Sequence, residues 1–170
     1  MNTNRRQIIT IREAKIKDSA TITELAKEFM NYHDETVIKN NILMKPYLDK
    51  KKNHSAIFRK FLDKNIRSRN AVVFIAEADG IPAGYSLNYI KKNVPIFKME
   101  KIGYISDLFV KKEYRGNNIS TKLKDCAMQW FRSKGINHIS LCVYNDNEFA
   151  HSIYKRWGFI NYHVEMRRKI

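Results

Sequence analysis

The stretch YISDLFVKKEYRGNNISTKLKDCAMQWFRSKG, residues 104–135, decides how this chain is read. Its opening YISDLFV, residues 104–110, is an apolar run of strand length. A helix is predicted from Ser120 onward, with Ile119, Leu123, Ala127, Trp130 and Phe131 on one stripe and Gly135 as its C-cap. YRGNNIS, residues 114–120, joins the two. Strand, glycine-bearing turn and helix together have the geometry of a phosphate cradle. The first amides of a helix have no internal partners and point along a positive dipole. Arg115 would supply charge there and Gly116 would let the backbone come close. Lys111, Lys112, Lys122 and Lys124 would add positive potential. Simple turn chemistry fits the same residues, so the turn alone leaves both readings open.

Downstream, HISLCVY (138–144) reads as a strand, residues 147–156 as a short helix and residues 159–168 as a final strand. Within NEFAHSIYKRWGF (147–159), Asn147, Ala150 and Tyr154 fall near one helical face. A short helix with a core-facing tyrosine explains that pattern as well. Upstream, IITIREA (8–14) alternates like a strand. Asp18 is a suitable N-cap for a helix carrying Ile22, Leu25, Ala26, Phe29 and Met30. Residues 31–53 read as polar and irregular. A second amphipathic helix carries Ile57, Phe58, Phe61, Leu62 and Ile66. AVVFIAEA (71–78) is a buried-looking strand, Asp79-Gly80 a hairpin signal, and residues 83–91 the returning strand. The order β-α-α-β-β-β-α-β-α-β predicts an α/β (α+β) fold with mixed pairing, in one domain spanning 1–170.

The composition fits a domain with a real core: 170 residues, 44% of them hydrophobic. Thirty-two Lys+Arg against 17 Asp+Glu give a formal charge of +15, which attracts polyanions such as nucleic acid or a phosphorylated cofactor. The positive charge is dispersed over residues 50–52, 91–92, 111–112 and 167–169, as on a solvated lysine-rich surface. No recognised nucleic-acid-binding signature accompanies it. The N-terminal MNTNRRQIITIRE lacks an apolar signal core, and no apolar run is long enough to span a bilayer. Cys126 and Cys142 are expected to be buried, inert thiols rather than a disulfide framework. A cytoplasmic location is the expectation, and no His/Cys spacing predicts a metal site.

Together the two motifs resemble the GCN5-related N-acetyltransferase (GNAT) superfamily. Its first signature is V-x-x-x-x-[RQ]-x-x-G-x-[GA], met here by Val110 and Arg115, with Asn118 and Ser120 in the last two positions. Its second, N-x-x-A-x-x-x-Y-x-x-x-G-F, is complete in Asn147, Ala150, Tyr154, Gly158 and Phe159. The resemblance implies the GNAT fold: a mostly antiparallel sheet with one splayed parallel strand pair, flanked by helices. It implies acetyl-CoA as cosubstrate, lying in the gap beside Leu108, Phe109 and Val110. The amides of Arg115, Gly116, Asn117, Asn118, Ile119 and Ser120 would hold the pyrophosphate, and Asn147 would fix the pantetheine arm. Asparagine tolerates a left-handed turn and serine leaves its amide free, so the cradle is expected to survive both departures.

The implied reaction moves an acetyl group to a primary amine, on a small molecule or on a protein N-terminus or lysine. Tyr154, a phenol protonated at neutral pH, would give the leaving thiolate its proton. The attacking amine needs a base. Some relatives place a glutamate where this chain has Cys142; others carry an acidic pair before the apolar end of the first-motif strand, of which this chain keeps Asp107 after Ser106. The resemblance therefore implies Asp107 as the candidate, with Glu100 or a water chain as alternatives. A backbone N–H near Leu108 or Phe109 would stabilise the oxyanion. The resemblance implies an acceptor site built by the first two helices, their connection and the hairpin near residues 85–93, where Asp34 and Glu35 would receive a cationic acceptor beside a solvated His33. The surface charge argues against a polycation as acceptor. Relatives are often dimers, so a homodimer is an expectation too. The alternative reading is a catalytically weak GNAT-fold module that binds CoA or docks on nucleic acid.

Overall fold

Asp79 and Gly80 take φ of 50° and 81°, both left-handed, and turn β2 (Ala71–Ala78) into β3 (Ile81–Lys92) as the Asp-Gly pair predicts. The computed structural model describes residues 7–170; the first six, which open the stretch read for a signal core, lie outside the described residues. Around that hairpin a five-stranded sheet forms in the order β1-β2-β3-β4-β5. β1 (Ile9–Glu13) and β4 (Lys101–Val110) pair antiparallel with β2 and β3, and β5 (Ile139–Leu141) pairs parallel with β4.

Each face of the sheet buries its own core. Val73, Ile75, Tyr85, Leu87 and Phe109 pack against Ile22, Leu25 and Ala26 of α1 (Ser19–Asn40) and Leu62 of α3 (His54–Ile66). On the other face Val72, Phe74, Ala76 and Ile105 meet Ile119, Leu123, Ala127 and Phe131 of α4 (Ile119–Ser133). That last set is the stripe read from residues 119–131. Gly135, at φ 73°, ends α4, and the Ile136 amide donates to the Phe131 carbonyl at 2.9 Å. Gly103 lets β4 approach α4 closely: a Cβ there would lie 2.7 Å from the Phe131 ring and 2.8 Å from Ile139.

Five expectations are corrected. Residues 31–53 are not irregular, since α1 runs on to Asn40 and a short α2 (Lys45–Leu48) follows. Val37 is buried, and Tyr32 and His33 pack on other elements, so tertiary contacts carry the helix through a polar stretch. Asp18 makes no cap bond to α1. Its carboxylate accepts from Arg12 at 2.8 and 3.0 Å and from the Lys15 amide at 2.7 Å, which holds its pKa at about 2. The strand at 138–144 shortens to Ile139–Leu141, because β4 and β5 diverge beyond it. Cys142 is exposed and Cys126 half-buried, so the thiols do not share one buried setting. Residues 159–168 form no strand despite their alternation. No other strand pairs with them among the described residues, and Ile160, Tyr162, Val164 and Met166 stay exposed.

The turning point of the fold is a β-bulge. Leu87 pairs with Asp107 but Asn88 pairs with Ile105, leaving Ser106 as the extra residue of β4. Ile105 and Phe109, four apart, would share a face of a regular strand. Here Ile105 faces α4 and Phe109 faces α1 and α3. The bulge therefore rephases the end of β4, and it sits where pairing with β5 stops at Ile105/Leu141.

Candidate active site

Beyond Ile105 the parallel pair opens into a gap. The Lys111 amide bonds the Ala83 carbonyl at 2.9 Å, which marks 83/111 as a hydrogen-bonded pair of the β3–β4 ladder. Alternation then makes 85/109 and 87/107 bonded pairs as well. The amides and carbonyls of Leu108 and Val110 consequently point away from β3, into the gap. Phe109 instead turns its backbone to β3, so of the two amides considered for an oxyanion, Leu108's has the right direction. The Val110 carbonyl accepts from Arg115 Nε at 3.1 Å.

The cradle lies at the end of this strand. Asn118 is left-handed at φ 59°, ψ 18°, as expected for an asparagine standing in a glycine position. Gly116 also has a positive φ of 84°, and a Cβ there would meet nothing within 4 Å. Among the described residues, the first backbone bond donated from the start of α4 is Lys122 to the Asn118 carbonyl. The amides of Gly116 through Thr121 are thus left for a ligand or solvent. Arg115 is not aimed at them. Its guanidinium lies over the Tyr32 ring, 4.6 Å from the centroid, and so ties α1 to the cradle. Asn117 Nδ2 donates locally to the Tyr114 carbonyl.

The second motif builds α5 (Glu148–Arg156). Asn147 Oδ1 caps it by accepting from the Ala150 amide at 3.1 Å, which leaves its amide nitrogen for another partner. Gly158, at φ 85°, closes it, and the Phe159 amide donates to the Tyr154 carbonyl at 3.0 Å. The Gly-Phe pair is therefore the helix stop, and it holds the Phe159 ring 5.9 Å from that of Tyr154. Trp157 packs on the same tyrosine at 5.7 Å. Burial pushes the Tyr154 phenol above its ordinary value, so it carries its proton at neutral pH.

Asp107 faces α1 and α3 beside the bulge. Tyr85, fully buried, donates its hydroxyl to Oδ2 at 2.9 Å, and Ser106 Oγ donates to Oδ1 at 3.0 Å. Burial raises the Asp107 pKa, and the two hydrogen bonds oppose the rise. Burial and the Asp107 charge together drive the Tyr85 phenol up. Tyr89 and Tyr104 pack with tilted rings, 5.3 Å between centroids, next to this group. Tyr104 is raised by burial and by the neighbouring Cys142 thiol. Tyr85, Tyr89, Tyr104 and Ser106 were not singled out from the sequence. The Tyr85-x-Leu87-x-Tyr89 alternation was the available signal, but it did not say which strand lies opposite.

α1 lies across the opening. Phe29 meets Phe109 at 5.5 Å on one side, and the His33 ring meets Tyr144 at 4.7 Å on the other. His33 is accordingly packed rather than solvated. Asp34 pairs with Lys50 and, at 3.2 Å, with His33 Nδ1, so its charge already has partners. Glu35 is exposed. Glu100 precedes β4, roughly 20 Å of strand from the bulge. The structure thus brings Asp107, Leu108, Val110 and the cradle together along β4, and leaves Asp34, Glu35 and Glu100 outside that line.

A sequence pattern of the acetyltransferase (GNAT) family matches residues 34–159. The chain belongs to this family. This GNAT chain is 43% identical over 60 residues to N-alpha-acetyltransferase 30 of Schizosaccharomyces pombe, a match covering 35% of the chain and 40% of that relative. It is 26% identical over 153 residues to the thialysine N-epsilon-acetyltransferase of Bos taurus, covering 88% and 83%. Its fold matches an aminoglycoside N-acetyltransferase in complex with CoA, with a TM-score of 0.74, 16% identity and 98% of each chain covered. The match to the Schizosaccharomyces pombe relative spans two-fifths of that relative's own length.

Proposed function

We propose that this GNAT chain is an acyltransferase that moves an acetyl group from acetyl-CoA to a primary amine by direct attack. The observation that carries the reading is the continuity of two features: the edge of β4 at Leu108 and Val110, beside which no strand pairs among the described residues, and the cradle of free amides at residues 116–121 that follows it. An extended arm adds to such an edge like a strand, and a pyrophosphate fits such a cradle. When bound, acetyl-CoA supplies the thioester.

Asp107 accepts the amine's proton, directly or through water, while Tyr85 and Ser106 hold its carboxylate in place. The Leu108 amide donates to the developing oxyanion. Tyr154 gives its proton to the leaving thiolate. Asn147 offers its free amide group to the arm. Asp34, committed to Lys50, is a weaker acceptor contact than Glu35.

An assay of thioester consumption with a panel of primary amines tests the reading, run with wild type and Tyr154→Phe. Amine-dependent consumption that collapses in the variant supports it. Wild-type protein that binds acetyl-CoA but never turns it over would make the chain a binding module.

A further inference from the structure

We infer that the exposed face of α3, with the segments on either side of it, docks on the phosphate backbone of a nucleic-acid duplex. This surface is separate from the acetyl-transfer site and does not depend on that reading. Residues 50–69 hold eight Lys+Arg against one Asp, a net +7, while the rest of the chain shares the other +8. Among the described residues, Lys50 alone of these eight forms an ion pair, with Asp34. The charge of the other seven is therefore left for a partner or for solvent.

The helix puts that charge in a row. Lys60, Lys64 and Arg67 fall at i, i+4 and i+7, on one stripe roughly 10 Å long. Arg59 and Arg69 flank it, and all five are exposed. Leu62 and Asn65 lie on the opposite face, buried. Asp63, the one acid, accepts from Ser19 Oγ of α1. The helix dipole favours cations in the last turn, which accounts for Lys64 and Arg67. It gives no reason for Lys60, and it disfavours Lys51 and Lys52, which stand before the N-terminus.

A straight row of cations on a rigid helix fits a row of phosphates. A duplex offers a negative charge about every 1.7 Å of its axis. α3 presents one face only, so it reaches the backbone rather than entering a groove, and such contacts carry no sequence preference. A helix that lies on a membrane sinks its apolar face into the lipid. The apolar face of α3 is already buried: Leu62 packs in one core with Ile22 and Leu25. Ala56 and Asp63 adjoin the stripe, and Ile57 and Phe61 line a depression with Met30 to one side of it. The cradle lies elsewhere. α3 packs on the sheet face opposite α4, whose N-terminus makes the cradle. Arg69 stands two residues before Ala71, the partner of Tyr89, and Val110 pairs with Gly84, roughly 17 Å of β3 away. A duplex and acetyl-CoA can thus be held at once.

The test titrates labelled duplexes of mixed sequence, one DNA and one RNA of about 24 base pairs, by fluorescence anisotropy from about 50 to 250 mM salt. Binding of either duplex, falling steeply with salt, is expected. Lys60→Gln, Lys64→Gln and Arg67→Gln together should weaken it at least about ten-fold at low salt and lessen the slope of log affinity against log salt by about three. The same loss of charge at Arg132, Lys155 and Arg156 should weaken it less than about three-fold. If the three glutamines in α3 lower the urea midpoint, the single variants carry the test, each lessening the slope by about one. Equal weakening by the two triple variants would reduce the interaction to net charge and overturn the assignment, as would no binding of either duplex at low salt. Phosphatidylserine vesicles bound as tightly as the duplexes, with the same loss in the α3 variant, would assign the face to a membrane instead.

Discussion

Tyr154 is held by its own motif: the helix stop at Gly158-Phe159 packs one ring against it and Trp157 packs another. Tyr154→Phe keeps that packing and removes only the proton. Turnover should fall about a hundred- to ten-thousand-fold with acetyl-CoA affinity nearly unchanged, read by steady-state kinetics beside calorimetry. Equal turnover would remove Tyr154 as the acid. Asp107 is the second test at this scale. Its raised pKa puts the loss of activity on the acid side above the ordinary 3.8, since a protonated carboxyl accepts no proton. Tyr85→Phe deletes a hydrogen bond that favours the carboxylate, so the acidic limb of the rate–pH profile should move up; an unmoved limb argues against Asp107 as base. Asn118 already occupies the left-handed region that glycine adopts without strain, so Asn118→Gly should preserve or improve acetyl-CoA affinity. A large loss would show that its side chain makes a contact of its own.

Among the elements, β4 decides the most. Gly103→Ala would push a methyl into the Phe131 ring and Ile139, costing roughly 1–3 kcal/mol, measurable as a lowered urea midpoint. Much of β4 was legible in advance: the apolar run, the turn and the α4 stripe are local patterns, and local patterns survive tertiary packing. Ser106 was not, because a bulge exists only relative to a partner strand and leaves no mark in one chain. α1 beyond Met30 was missed because its apolar contacts are few and its partners, Arg115 and Tyr144, are distant in sequence. Residues 159–168 were over-read for the converse reason: alternation specifies a face, but a strand also needs a neighbour to pair with. The motif residues of the candidate site were therefore visible, while the tyrosines around Asp107 became visible only through strand register.

For the molecule as a whole, two electrostatic features set its behaviour. Asp18, clamped by Arg12 and the Lys15 amide, has a folded pKa of about 2 against an ordinary 3.8. A depressed carboxylate stabilises the fold above its unfolded pKa, and that contribution is lost as pH falls from about 4 through about 2. Asp18→Asn should lower the urea midpoint at neutral pH, with the difference from wild type vanishing near pH 2. The second feature is the +15 charge, which draws any polyanion and does so less as salt rises. A site built from backbone amides holds its ligand after that attraction is screened. Calorimetry of acetyl-CoA binding at low and at moderate salt separates the two most directly. The β4 edge and the 116–121 cradle predict micromolar affinity that persists at moderate salt. Binding that disappears at moderate salt, or is absent at both, would contradict the claim that this junction holds the cosubstrate.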